Sequence, residues 1–198
     1  MTEPTPRQPD HDIDPRFLER RSPRAFSGEA LPEAELLRMI EAARWAPSSY
    51  NSQPWRFLYA LRGDAHWDTF FGLLVPGNQK WVANTGALLF LVSNGRMKVG
   101  DELKPSYSHS LDTGAASLAF QLQAIRQGWH AHGMTGFDQA RAPAVLNLPE
   151  HHRVEAAYAV GRAIPWDQLS DEQRAREQPN GRRPITDFTH AGPFPARD

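Results

Sequence analysis

The sequence predicts a single domain that mixes helices with strands, on three observations. The segment LPEAELLRMIEAARWAP places Leu36, Leu37, Ile40 and Ala43 at helical spacing, with Pro32 at the first helical position, acids in the first turn and Pro47 as a stop. The run ALLFLVS, residues 87–93, is apolar through Val92 and of strand length, as a central strand covered on both faces would be. The chain has 198 residues, near the size at which one domain with one core is the default.

The other elements follow in order. Residues 1–14 are rich in Pro and charge and read as a loose tail. WRFLYAL, residues 55–61, is short, aromatic and bounded by Pro54 and Gly63, so it reads as a strand. LDTGAASLAFQLQAIRQG is small and apolar on most sides, with Gly128 as its stop, and suits a helix buried deeply or against another subunit. RVEAAYAVGRA is a further strand. After Pro165 the period fails, one short helix excepted, and the aromatic Trp166, Phe188 and Phe194 need cover from this domain or from a partner. The expected organisation is a tail over 1–14, a core over 15–165 and an arm over 166–198.

Composition excludes several function classes. With 22 basic and 23 acidic residues, nothing global points to nucleic acid or to an anionic membrane. There is no cysteine, which removes disulfides, thiolate metal sites and a cysteine nucleophile. Residues 1–12 carry Pro, Asp and Glu where an export signal needs an apolar run, so no export is expected, and the longest apolar run, Ala87 to Val92, is far too short to span a bilayer. A cytoplasmic location is expected.

Four stretches carry chemistry. In RRSPRAF, Pro23 holds Ser22 out of the helical region, and alternation in an extended segment brings Arg20, Ser22 and Arg24 to one face. Two guanidinium forks beside a hydroxyl suit a phosphate, although the same residues also describe a solvated basic turn. NGRRPITDF supplies a second basic pair, Arg182 and Arg183. APSSYNSQPW crowds Ser48, Ser49, Asn51, Ser52 and Gln53 between a helix and a strand, more hydrogen-bonding capacity than a connector requires, and suits a flat heterocycle with carbonyl and ring-nitrogen edges. GMTGFD has two glycines that let a backbone N–H approach a ligand, or simply make a turn. His109, His130 and His132 lack a metal-ligand spacing and read as core or solvent-facing histidines, so no metal is expected.

Together, RRSPRAF, LLRMIEAARWAPSSYNSQPWRF, NQKWVANTGALLFLV, GMTGFD and RRPITDF resemble, in order and spacing over roughly residues 16–194, the FMN-dependent nitroreductases. The resemblance implies an α+β fold: a mostly antiparallel central sheet flanked by helices, in a homodimer whose C-terminal arms are exchanged and whose two FMN sites lie at the interface. It implies that Arg20 and Ser22, with Arg21 beside them, and Arg182 and Arg183 hold the FMN phosphate. Arg24 is then expected at the N1 and O2 edge of the ring, and Asn78 at the pyrimidine side. Pro47, Ser48, Ser49 and Asn51 are expected to close the site from the partner chain, and Thr135 and Gly136 to place a backbone N–H near N5.

The implied activity is a ping-pong NAD(P)H oxidoreductase. Hydride passes from NADPH or NADH to flavin N5 and onward to a nitroaromatic, quinone or other electron-poor acceptor, and no side chain serves as catalytic nucleophile, acid or base. The alternatives are a flavin-binding or storage protein without turnover, or a specialised relative such as a dehalogenase, a flavin-cleaving enzyme or an oxygen-using dehydrogenase. Three positions depart from the family pattern: Thr135 where an acid is common, Asp112 where a polar amide is frequent, and Trp81 where some relatives place a lysine.

Overall fold

The computed structural model describes residues 7–194, so residues 1–6 of the expected tail and 195–198 of the expected arm lie outside the described residues. In chain order the elements are α1 (Arg16–Glu19), α2 (Glu33–Arg44), β1 (Trp55–Leu61), α3 (Trp67–Phe71), α4 (Pro76–Val82), β2 (Ala87–Asn94), β3 (Arg96–Val99) and β4 (Glu102–Pro105). They continue with α5 (His109–Arg126), β5 (His130–Met134), α6 (Ala142–Val145), β6 (His152–Gly161) and α7 (Asp171–Arg176). Pro32 stands one residue earlier than expected, as the extended cap before α2.

The main sheet has four strands in the order β1-β2-β6-β5, every neighbouring pair antiparallel. The α+β class with an antiparallel sheet flanked by helices is therefore as expected. Strand β2 is buried along Ala87–Ser93 because both of its faces are covered. Alternation sends Leu89 and Leu91 to one face, where they pack with Leu36 and Met39 of α2 and Phe120 and Ala124 of α5. Leu88 and Phe90 go to the other, against Trp67, Leu73, Leu74, Val82 and Phe137. A separate β3-β4 hairpin turns at Gly100, whose φ of 61° a side chain would oppose.

Two features of this frame position the site. Helix α5 ends where Gly128 turns left-handed at φ 77°, and the Trp129 N–H returns to the Ala124 carbonyl at 2.9 Å, which drops the chain into β5. At the far end of β5, the Gly136 carbonyl accepts from Val75 N at 3.1 Å and from Asn78 Nδ2 at 2.9 Å, so the residues after β5 are tied to the start of α4.

Candidate active site

The segment Arg20–Phe26 runs extended from the end of α1 to a bridge with Ala163, and four hydrogen bonds hold it. His132 Nδ1 lies 2.8 Å from the Pro23 carbonyl, which can only accept, so this nitrogen carries the proton. Burial, above all, holds the pKa of His132 below the ordinary imidazole value, and the ring is a neutral donor. From the far end of the chain, buried Glu177 accepts from the Arg24 N–H at 2.6 Å and the Ala25 N–H at 2.9 Å through Oε1, and from Arg21 Nη1 at 3.1 Å through Oε2. Nothing in the sequence singled Glu177 out, since its partners lie more than 150 positions away.

Around this segment open three cavities that share Arg24. The first, about 180 Å³, is lined by Arg20, Arg21, Ser22, Arg24 and Arg182, with Arg7 and Arg176 added from segments the sequence reading left aside. Its single carboxylate, Glu177, is already committed to the bonds above. The guanidinium groups press on one another: burial first, then the charge of Arg182, lowers the pKa of both Arg7 and Arg20. Such a pocket calls for a bound anion.

The second cavity, about 530 Å³, is lined by Arg24, Asn78, His132, Thr135, Gly136 and Tyr158 among others. The N–H groups of Thr135 and Gly136 make no hydrogen bond among the described residues, which leaves two backbone donors at its edge. A Cβ on Gly136 would come within 2.5 Å of Asn78 Nδ2, so a side chain there would push that amide out of its bond to the Gly136 carbonyl. The third, about 650 Å³, extends past Asn78 to Phe26, Lys80 and Trp81. There Trp81 lies 4.5 Å from the His132 ring and 6.1 Å from Phe26, centroid to centroid, so it backs the histidine that holds Pro23.

One chain thus gathers Arg20, Arg21, Ser22, Arg24, Asn78, Thr135, Gly136 and Arg182 around neighbouring cavities that share Arg24. Arg183 does not line them; it faces a neighbouring groove of about 360 Å³. Pro47, Ser48, Ser49 and Asn51 line none of them either. Those four lie in the connector between α2 and β1, where buried Asp112 accepts from the Ser49 N–H at 2.9 Å and from the Ser108 hydroxyl at 3.2 Å. The departure at Asp112 therefore has a structural task. Among the described residues no group of His, Cys, Asp and Glu is arranged to hold a metal, and no helix is long and apolar enough to cross a membrane.

The arginine pocket and the cleft with free backbone donors share Arg24. Residues 18–68, which include the first arginine cluster and the α2–β1 connector, match the family model described as the nitroreductase family. A crystal structure of an oxidoreductase containing FMN is similar to this chain at 42% identity, covering 100% of both chains, with a TM-score of 0.90. The NADH dehydrogenase of Thermus thermophilus is 28% identical over 76% of this chain and 86% of its own length. A nitroreductase family protein from Streptococcus pneumoniae shares the fold at 19% identity, covering 89% of this chain and 100% of its own, with a TM-score of 0.68. On this sequence, fold and site, the chain belongs to the nitroreductase family.

Proposed function

We propose that the protein is an FMN-dependent NAD(P)H oxidoreductase that reduces small electron-poor acceptors such as nitroaromatics and quinones, and that it works as a homodimer. The observation that carries the reading is that the arginine pocket and the cleft bordered by Thr135, Gly136 and Asn78 lie on either side of one residue, Arg24. The 42%-identical structure is that of an oxidoreductase containing FMN, and the Thermus relative is an NADH dehydrogenase. When bound, FMN supplies hydride exchange at N5.

The chain's own residues would do the rest. Arg20, Ser22 and Arg182 bind the phosphate dianion, with Arg21 held partly back by Glu177. Arg24, its backbone pinned by Glu177, brings a fixed positive charge to the edge of the ring system, where it favours the reduced, more negative state. Asn78 keeps one N–H and its carbonyl oxygen free beside the bond to Gly136, and the Thr135 and Gly136 amides offer donors. Because charge placement and orientation suffice, no side chain needs to act as nucleophile, acid or base.

Exposed apolar groups support the dimer, with 15–165 as core and 166–198 as an arm over the partner. Leu111 of α5 is 76% exposed, Tyr50 of the connector 75%, and Phe194 of the arm 79%, apolar groups available for a second copy to bury. A second copy covering them would also bring Pro47, Ser48, Ser49 and Asn51 to the cleft of its neighbour.

The test is an absorption spectrum of the purified protein, followed by anaerobic NADPH and then NADH, and turnover with menadione or a nitrofuran. Flavin bands that bleach with a nucleotide and recover with the acceptor are expected. Bands that persist would leave binding without turnover, and a colourless protein that FMN does not reconstitute would overturn the reading.

A further inference from the structure

The cavity of about 650 Å³ has a lining that binding a cofactor does not by itself require. Its volume falls in the range of about 300 to 1,000 Å³ that small-molecule sites occupy. Phe26 and Trp81, stacked at 6.1 Å with 22° between their planes, give it an aromatic wall, and Ile164 adds an apolar edge. Such a wall takes a flat ring.

The charges around that wall are one-sided. Arg24, Lys80 and Arg176 line the cavity against a single acid, Glu177, whose carboxylate is already taken by the Arg24 and Ala25 N–H groups and by Arg21. The Arg24 and Lys80 side chains pair with no carboxylate among the described residues. Arg176 meets Glu172 at 2.7 Å, but both side chains are mostly exposed and water screens the attraction. Arg24 and Arg176 also line the arginine pocket, whereas Lys80, exposed on α4, lines neither that pocket nor the cleft at Thr135 and Gly136. A cation without a partner beside an aromatic wall suits an occupant that is both planar and negative. Asn78 lines this cavity too, and its Nδ2 donates to the Gly136 carbonyl at 2.9 Å, so the cavity reaches the side chain that touches Gly136.

We propose that this cavity binds the electron acceptor, and that the acceptor class is an anionic aromatic, an electron-poor ring bearing a carboxylate, with the ring on Trp81 and the carboxylate at Lys80. The inference rests on the flavin reading above and narrows its acceptor. For a nitrobenzoate, NAD(P)H and one proton reduce the nitro group to nitroso, with release of NAD(P)⁺ and water. The carboxylate is unchanged and serves as the handle.

The test compares 4-nitrobenzoate with neutral 4-nitrobenzamide in the FMN-loaded wild type, Lys80→Gln and Lys80→Glu. Dissociation constants are read by calorimetry without NAD(P)H, and kcat/KM with it; following the ratio of the two acceptors across the three proteins cancels their difference in intrinsic reactivity. Lys80→Gln should lower the preference for the anion about 2- to 5-fold and Lys80→Glu up to about 20-fold, as one cation at an exposed rim implies. The amide should bind and react equally in all three proteins, and added salt should shrink the wild-type preference.

Equal ratios in the three proteins overturn the proposal. So does an effect of Lys80 confined to reduction by NADPH against NADH, which would give this cation to the 2′-phosphate of the donor. A wild-type protein that holds no FMN, or that reduces neither acceptor nor menadione, overturns the functional reading itself.

Discussion

Replacing Glu177 with Ala should cost about 3 to 5 kcal/mol of folding stability, and replacing it with Gln about 1 to 2. Glu177 is 8% exposed and is the point where the C-terminal segment grips the extended chain before Phe26. Alanine strands the Arg24 and Ala25 N–H groups, each at about 1 to 3 kcal/mol when buried, and leaves Arg21 unpaired. Both backbone donors go to Oε1, so glutamine with its oxygen there keeps them. Only the group facing Arg21 changes, to an NH₂ pointed at another donor, and Arg21 is 30% exposed and can turn to water. Urea titration at pH 7 reads both values from the midpoints at a common slope. The FMN affinities should split too: Ala frees Arg20–Arg24 and weakens binding, whereas Gln removes the pocket's one carboxylate and leaves affinity equal or higher. Equal stability losses in the two variants, or a loss under about 0.5 kcal/mol in Ala, would refute the account of Glu177 as the clamp.

Other predictions follow from the same geometry. Arg24→Ala should lower the flavin midpoint potential and slow reduction by NAD(P)H more than it weakens FMN binding; an unchanged potential in a spectroelectrochemical titration would remove Arg24 from the ring edge. Arg182→Ala should release FMN during purification and Arg183→Ala should not, because only Arg182 lines the pocket, and equal retention of yellow colour would contradict that division. His130 has its pKa pushed down to about 4, chiefly by burial and then by Arg21 and Arg162. The unfolded chain takes up that proton near pH 6.5 and the folded one only near 4, so stability falls as pH drops through this window, by up to about 3 kcal/mol. His130→Gln should flatten that part of the profile in denaturation curves from pH 7 to 4.5, and a profile parallel to wild type would refute the assignment.

How much of this was legible in the sequence depended on whether a feature is local. Helix α2 and strands β1, β2 and β6 declare themselves because burial on a regular period selects residue type at every second, third or fourth position. Strand β5 did not, since HAHGM places polar rings where a strand pattern expects apolar ones. His132 is buried there through its bond to the Pro23 carbonyl, a partner the local sequence cannot reveal. The β3-β4 hairpin was missed although Gly100 and Asp101 form a turn signal between short alternating runs. Arg20, Ser22 and Arg24 were legible because alternation in an extended segment decides their shared face. Glu177 and Arg7 were not, because each acts across more than 150 residues of chain and carries no pattern of its own.

The polarity of the connector APSSYNSQPW divides into two parts. Much of its polarity is spent internally: Ser48 Oγ accepts from the Gln53 N–H, Gln53 Nε2 donates to Asn51, and Ser49 N–H goes to Asp112. These bonds hold Tyr50, Asn51 and Gln53 in left-handed conformations, with φ of 53°, 50° and 46°, a cost of about 1 to 2 kcal/mol for each such residue. A chain does not keep three strained residues for a simple turn when a glycine would serve. The result is a rigid, outward-facing knuckle whose Tyr50 ring and Asn51 side chain stand in solvent, away from the chain's own cavities. Rigidity at an exposed apolar surface is useful only to something that docks there. Under the homodimer reading, that something is the other subunit, and the strain is what each chain invests so that its neighbour's cleft is closed by a preformed surface rather than by a loop that must first be ordered.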